Sequence, residues 1–139
     1  MKAVLIDTCI WSLALRAKQP REIIVAQYLK QLIEQDQAKI IGVIRQELLS
    51  GYSDIKRYEK LRKQMSWFPN ETIVDEDYET AAFYSNQCRK QGIQGSSTDF
   101  LICAVAVRLN LKIFTEDKDF THYQNCGLPI KFYLIETAE

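Results

Sequence analysis

The sequence predicts a three-layer α/β/α sandwich with a mostly parallel central sheet. Short apolar runs alternate with longer helical patterns along the whole chain. This β-α-β alternation calls for parallel strands covered by helices on both faces and joined by right-handed crossovers. The chain has 139 residues, and 47% of them are hydrophobic, which is enough for one continuous core. We therefore expect a single domain over residues 1–139.

Apolar periodicity and turn residues predict two strands and four helices in the first half of the chain. Pro20 suits the first turn of a helix, Ser53 or Asp54 can cap another, and Pro69 ends that helix. Apolar runs that are too short for helices indicate the strands. The predicted strands are residues 3–6 and 39–43, and the predicted helices are residues 9–17, 20–34, 44–51 and 55–68.

The second half continues the same alternation. A helix with a mostly small apolar face ends at Gly92, and a flexible loop then leads to a strong N-cap signal at residues 96–98. The helix that follows is apolar nearly all round to residue 109, which predicts a central, buried position. The predicted strands are residues 72–74, 112–115 and 130–135, and the other predicted elements are a helix at 75–91 and a short turn or helix at 117–123.

Composition excludes several classes of function. Net charge is zero, with 18 basic and 18 acidic residues, so charge alone gives no sign of a nucleic-acid partner. The four cysteines form no CxxC pair, and the single histidine has no partner at metal-ligand spacing, which argues against a zinc site. No segment has the pattern of a signal peptide or a membrane span. We expect a cytoplasmic protein with reduced thiols and no membrane partner.

Four carboxylates stand just past a predicted strand or in the opening turns of the next helix: Asp7, Glu47, Asp99 and Asp117. Open α/β sheets bind ligands beyond the carboxyl ends of their strands, where all four would gather. Two carboxylates about 4 Å apart repel by about 4 kcal/mol at an effective dielectric of about 20, so such a group needs a cation. Oxygen ligands without His or Cys favour Mg²⁺ or Mn²⁺, and the usual substrate is a nucleic-acid phosphate.

Each carboxylate also has a simpler interpretation. Asp7 and Asp117 could cap the turns that follow them, and Glu47 could be a solvated residue on a helix surface. Asp99 is harder to explain in this way, because the residues three, four and seven positions later are apolar. An unpaired charge on that face costs several kcal/mol, whereas a helix-dipole role supplies only about 0.3 to 1 kcal/mol. Asp99 is thus the strongest single indication of a bound cation.

Four segments, in this order and spacing, resemble the motifs of PIN-domain nucleases, in particular the VapC-like toxins of VapBC toxin–antitoxin systems. They are VLIDT (residues 4–8) with Trp11, IRQELLSG (44–51), STDFLICA (97–104) and FTEDKDF (114–120). The resemblance covers essentially the whole chain. One departure stands at Cys9, where similar proteins often have Asn or Ser.

The resemblance implies a Rossmann-like sandwich and an Mg²⁺- or Mn²⁺-dependent endoribonuclease, the toxin of a toxin–antitoxin pair. It also implies a homodimer and a VapB-like antitoxin whose C-terminal segment blocks the groove. The implied site residues are Asp7, Asp99 and Asp117 as metal ligands, Glu47 as a further catalytic carboxylate, Thr115 as a supporting hydroxyl and Asp119 as a carboxylate behind the ligands.

An acidic groove that admits polyanionic RNA needs basic side chains at its rim. The predicted RNA-binding residues are Arg45, Lys112 and Lys118, with the basic cluster at residues 56–63 as an alternative. Their role is to contact phosphates, which positions the RNA without reading its sequence.

Three other functions remain open from the sequence. The chain could be a PIN-type nuclease of RNA processing without a toxin role. It could be a receiver-like regulatory domain, although a receiver would place paired acids after its first strand and a Lys after its last. A phosphatase of the haloacid dehalogenase type would need an Asp-x-Asp motif, where this chain has Asp7-Thr8-Cys9.

Overall fold

The computed structural model describes residues 3–136, and this range contains three strands and seven helices. The strands form one parallel sheet in the order β2-β1-β3, flanked by helices, which confirms the predicted fold class. The strands are β1 (Val4–Ile6), β2 (Ala38–Lys39) and β3 (Lys112–Phe114). The helices are α1 (Thr8–Leu15), α2 (Pro20–Glu34), α3 (Gly42–Ser50), α4 (Ile55–Met65), α5 (Asp75–Lys90), α6 (Ser97–Arg108) and α7 (Asp119–Asn125).

The register of the sheet sets the position of the site. In the central strand β1, Val4 pairs with Ala38 on one side and with Lys112 on the other. Parallel strands place their carboxyl ends at the same edge of a sheet. The residues that follow β1 and β3 therefore lie side by side, and Asp7 N donates a hydrogen bond of 3.0 Å to the Phe114 carbonyl.

The core is continuous and centres on β1 and α6. All three residues of β1 are buried, and so are residues 100–106 of α6, which confirms the prediction of a central buried helix. Helix α5 packs along α6, while α1 contacts both α2 and α3. Among the described residues, no helix is long and apolar enough to cross a membrane.

Two of the predicted strands do not form. Residues 72–74 are not a strand, because side chains satisfy their backbone groups: Arg108 Nη2 donates to the Thr72 carbonyl (2.7 Å) and Val74 N donates to Asp77 Oδ2 (2.9 Å). Residues 130–135 make only an isolated parallel bridge at Phe132, through two hydrogen bonds with the backbone of Ile113. Both predictions were wrong, because the composition of a short apolar run does not show whether another strand pairs with it.

The second predicted strand, residues 39–43, is shorter than expected. Strand β2 ends at Lys39, the Ile40 carbonyl accepts a hydrogen bond from Glu71 N (2.8 Å), and Ile41 caps α3, which begins at Gly42. The other helices start close to their predicted positions. Pro20 is the first residue of α2, and the side chains of Asp54 and Ser96 cap α4 and α6.

A buried ion pair joins α5 to α6 away from the sheet edge. Asp77 is 2% exposed and accepts hydrogen bonds from Arg108 Nε (2.8 Å) and Nη2 (2.9 Å) as well as from Val74 N. Burial raises the pKa of Asp77, but the hydrogen bonds from Arg108 and Val74 outweigh that effect and leave the pKa below its usual value. The negative charge of Asp77 is therefore balanced within the protein, by Arg108 and by the hydrogen bond from Val74 N.

Candidate metal centre

Asp7 lies directly after β1 and caps the N-terminus of α1. Its Oδ1 accepts a hydrogen bond from Thr8 N (2.8 Å), and its Oδ2 accepts one from Thr115 Oγ1 (2.7 Å). The residue is only 6% exposed. Burial raises the pKa of Asp7, the nearby charge of Asp117 adds to this, and the hydrogen bonds offset only part of it. Asp7 therefore does cap α1, but its hydrogen bonds do not offset the cost of burying its negative charge.

Thr115 connects Asp7 to the loop after β3. Its hydroxyl donates to Asp7 and accepts a hydrogen bond from Asp117 N (3.0 Å), while Asp117 Oδ1 accepts one from Asp119 N (2.9 Å). These hydrogen bonds tie the loop after β3 to Asp7, and the charge of Asp117 is close enough to raise the pKa of Asp7.

Three carboxylates converge beside this loop. Asp99, Asp117 and Asp119 each offer an oxygen, and these oxygens all lie within 4.8 Å of one another. Asp99 is in the first turn of α6 and is partly buried. Burial is the main cause that raises the pKa of Asp99; the charges of Asp7 and Asp117 raise it further, against hydrogen bonds from Tyr123 and Ser96.

Within the described part of the chain, no basic side chain forms a salt bridge with Asp99, Asp117 or Asp119. The salt bridges formed among residues 3–136 involve other acids, and the nearest in sequence joins Arg21 Nη2 to Glu116 at 2.7 Å. Carboxylate oxygens at these separations suit a hard divalent cation such as Mg²⁺ or Mn²⁺. The residues present therefore fit the metal that the sequence implied.

Glu47 reaches the same edge from α3. Thr8 Oγ1 donates to Glu47 Oε1 (2.9 Å), while Thr8 N donates to Asp7, so one residue links the two carboxylates. Glu47 is exposed, and the structure places it at the rim of the centre, outside the group of three close oxygens. Asp119, predicted as a supporting carboxylate, offers one of the three close oxygens.

Cys9 lies beside Asp7 without becoming reactive. Its thiol is 3.5 Å from Asp7 Oδ2 and 3.6 Å from Thr115 Oγ1, and it accepts a hydrogen bond from Glu116 N. Burial, with a contribution from the charge of Asp7, raises the pKa of Cys9 to about 11. At neutral pH the thiol stays protonated, so it is a poor nucleophile and a poor metal ligand.

The three basic residues predicted to meet RNA have different environments. The guanidinium of Arg45 bonds to the carbonyls of Met65 and Phe68 and to Asn70 Oδ1, so its donors connect α3 to the end of α4. Lys112 begins β3, at the opposite end of that strand from the carboxylates. Lys118 is exposed and stands between two acids of the cluster.

Two residues that hydrogen-bond to the carboxylates, Tyr123 and Thr8, could not be assigned that contact from the sequence. Tyr123 Oη donates to Asp99 Oδ2 at 2.7 Å, and Thr8 bonds to both Asp7 and Glu47. Burial and the neighbouring Asp99 both raise the pKa of Tyr123, so its hydroxyl remains a donor at neutral pH. No local pattern indicates a contact between residues 24 positions apart, although Thr8 did stand inside a recognised motif.

The chain also matches a known protein family. Residues 4–125 match the PIN domain. No curated protein matches the chain at a significant level.

Among solved structures, the fold resembles FitAcB from Neisseria gonorrhoeae (22% identity, 94% of this chain and 96% of that chain covered, TM-score 0.66). It also resembles a toxin–antitoxin complex from Klebsiella pneumoniae (22% identity, 91% of this chain and 93% of that chain covered, TM-score 0.63). A third similar structure is VapBC2 from Rickettsia felis, bound to a DNA fragment from their promoter. Its identity is 15%, 94% of this chain and 97% of that chain are covered, and the TM-score is 0.71. At these identities the likeness concerns the fold.

Proposed function

The chain belongs to the PIN domain family, whose members are nucleases, and on that premise we propose that it is a metal-dependent endoribonuclease. The observation that supports this most is the group of three close carboxylates, with no basic partner in the described chain, beside the buried Asp7. A stable fold does not need such repulsion. A site for a divalent cation at a phosphodiester explains it.

Four of the carboxylates have a stated role in this proposal. Asp7, Asp99 and Asp117 would hold the ion, and Glu47 would complete the site or orient the attacking water. The chemistry that a divalent ion supplies here is activation of water and neutralisation of charge on the phosphate. The Cys9 thiol beside Asp7 is protonated at neutral pH, so it does not supply an activated nucleophile to the centre.

Hydrolysis by in-line attack of water breaks the bond between phosphorus and the 3′-oxygen. The leaving oxygen takes a proton, so the products carry a 5′-phosphate and a 3′-hydroxyl. Lys118, exposed beside the acids, is the best placed of the predicted basic residues to contact an RNA phosphate.

Purified chain is expected to cleave RNA in millimolar Mn²⁺ or Mg²⁺, to leave 5′-phosphate ends, and to lose this activity in EDTA. The same ions should raise the melting temperature, because a ligand that prefers the folded state stabilises it. Gel analysis of end-labelled RNA and a thermal melt measure the two effects. If neither cleavage nor a thermal shift occurs with either ion, the receiver-like regulatory alternative gains support.

We further propose that the chain is the toxin of a toxin–antitoxin pair with a VapB-like antitoxin, and that it forms a homodimer. The fold likeness to a toxin–antitoxin complex supports this. So does an apolar groove of about 280 Å³ between α1, α2 and α4, which includes Leu15 and Ile33 at its surface. Trp67, 84% exposed, borders the adjoining groove. Exposed apolar surface of this kind marks a protein partner.

Expression of the wild-type chain alone is expected to arrest growth, whereas the Asp7→Asn variant should be harmless. Co-expression of an adjacent small gene should relieve the arrest, since an antitoxin would compete with RNA for the acidic groove at Asp7, Asp99 and Asp117. Growth curves and co-purification measure both. A wild-type chain that is harmless and binds no neighbouring gene product would leave the PIN nuclease without the toxin role.

A further inference from the structure

One buried polar group at the centre has no part in the proposed chemistry. Tyr123, on α7, is 1% exposed, and its ring packs against Phe100 (centroids 4.9 Å apart) and Phe120 (5.4 Å). A phenylalanine would make the same apolar contacts. What distinguishes tyrosine here is its hydroxyl, which donates to Asp99 Oδ2 at 2.7 Å.

The loop before α6 is built around this hydroxyl. A Cβ atom at Gly95 would lie 2.5 Å from Tyr123 Oη, 2.7 Å from its Cε1 and 2.8 Å from Phe100 Cζ. Real Cβ atoms do not come so close to other atoms, so any larger residue would force the tyrosine or the loop to move. The absence of a side chain at Gly95 therefore gives the hydroxyl its place under the loop.

We propose that Tyr123 is a positioning residue for Asp99, and that Gly95 makes the room it needs. The hydroxyl holds the Asp99 carboxylate in the orientation that brings it within 4.8 Å of Asp117 and Asp119. This inference rests on the proposed metal site and assigns a residue that supports one of its ligands.

The physical need for such a residue comes from the charges around Asp99. Asp7 and Asp117 repel its carboxylate, and a partly buried side chain in the first turn of a helix can still rotate away from them. A hydrogen bond from a rigid aromatic side chain opposes that rotation. Because the ring of Tyr123 is fixed between Phe100 and Phe120, its hydroxyl can hold Asp99 in place before an ion binds.

The test compares Mn²⁺ affinity among purified full-length variants by isothermal titration calorimetry, a measurement that needs no RNA. Tyr123→Phe is expected to weaken Mn²⁺ binding by about 10- to 100-fold, the usual effect of removing a residue that orients a ligand. Gly95→Ala should weaken binding in the same direction, because the new methyl group displaces the hydroxyl. Circular dichroism checks that each variant is folded.

Two controls separate a positioning role from a structural one. Tyr84→Phe removes the hydroxyl of another buried tyrosine, on α5, and should leave Mn²⁺ affinity unchanged. In an Asp99→Asn background, Tyr123→Phe should cause no further loss of affinity, because the group it positions is already altered.

The possible results distinguish this inference from the proposed function. Wild-type affinity in Tyr123→Phe, or an equal loss in Tyr84→Phe, would overturn the positioning role and leave the metal site standing. A wild-type chain that binds no Mn²⁺ at all would instead overturn the metal site, and the role of Tyr123 with it.

Discussion

Replacing Asp7 by asparagine is expected to lower the rate of RNA cleavage by roughly 1000-fold or more, which corresponds to about 4 kcal/mol of transition-state stabilisation. Asparagine has nearly the same shape, and its carbonyl can still accept the hydrogen bond from Thr8 N, so the α1 cap remains. What is lost is the negative charge that holds a cation at the end of β1. The fold should therefore persist while catalysis does not.

The measurement is the initial rate of RNA cleavage at saturating Mn²⁺, with circular dichroism to confirm the fold. Asp54→Asn is the matched control, because Asp54 caps α4 as Asp7 caps α1 and asparagine is an equally good cap. That variant should keep wild-type activity. A rate for Asp7→Asn within tenfold of wild type would show that Asp7 is not a metal ligand.

The carboxylates at the sheet edge could be predicted from sequence because topology alone brings them there. An acid directly after a buried strand and an acid in the first turn of a buried helix are recognisable without coordinates, and this applies to Asp7 and Asp99. Parallel strands then place Asp7 beside the loop after β3, which carries Asp117 and leads into α7 at Asp119. Their joint position follows from the alternation of strands and helices.

Features that depend on contacts between distant residues could not be predicted in this way. Residues 72–74 have a strand-like composition, but Arg108 and Asp77 bind their backbone, and nothing near them in sequence indicates this. The bond from Tyr123 to Asp99 is of the same kind. The sequence likewise did not show that the guanidinium of Arg45 bonds to the main chain and to Asn70, and its predicted contact with RNA stays a prediction.

The loss of charge at Asp7 is also expected to stabilise the metal-free protein at neutral pH. Burial raises the pKa of Asp7 above its value in the unfolded chain, which is about 3.9. A group whose pKa is raised on folding favours the protonated, low-pH folded state, so stability falls as pH rises through the folded-state pKa. Above that pH the wild type bears the whole penalty, and the Asp7→Asn variant bears none.

In EDTA, Asp7→Asn should therefore melt a few degrees above the wild type at pH 7.5, since 1 kcal/mol corresponds to about 3 to 5 °C in a domain of this size. The difference should shrink toward pH 4. Asp77→Asn is the opposite control, because Arg108 holds the pKa of Asp77 low. It should destabilise at pH 7.5 by about 1.5 to 3 kcal/mol, an effect that is lost as pH falls through the folded-state pKa of Asp77.

Mn²⁺ should reverse the order of the wild type and Asp7→Asn. An ion at 100 times its dissociation constant stabilises the folded state by about 2.7 kcal/mol, and the variant binds it poorly. The wild type should then melt above Asp7→Asn in Mn²⁺ and below it in EDTA, a crossing that differential scanning fluorimetry between pH 4 and 8 resolves. If Asp7→Asn melts below the wild type in EDTA at every pH, the hydrogen bonds from Thr8 and Thr115 outweigh the burial of this charge, and the carboxylate contributes to stability without a metal.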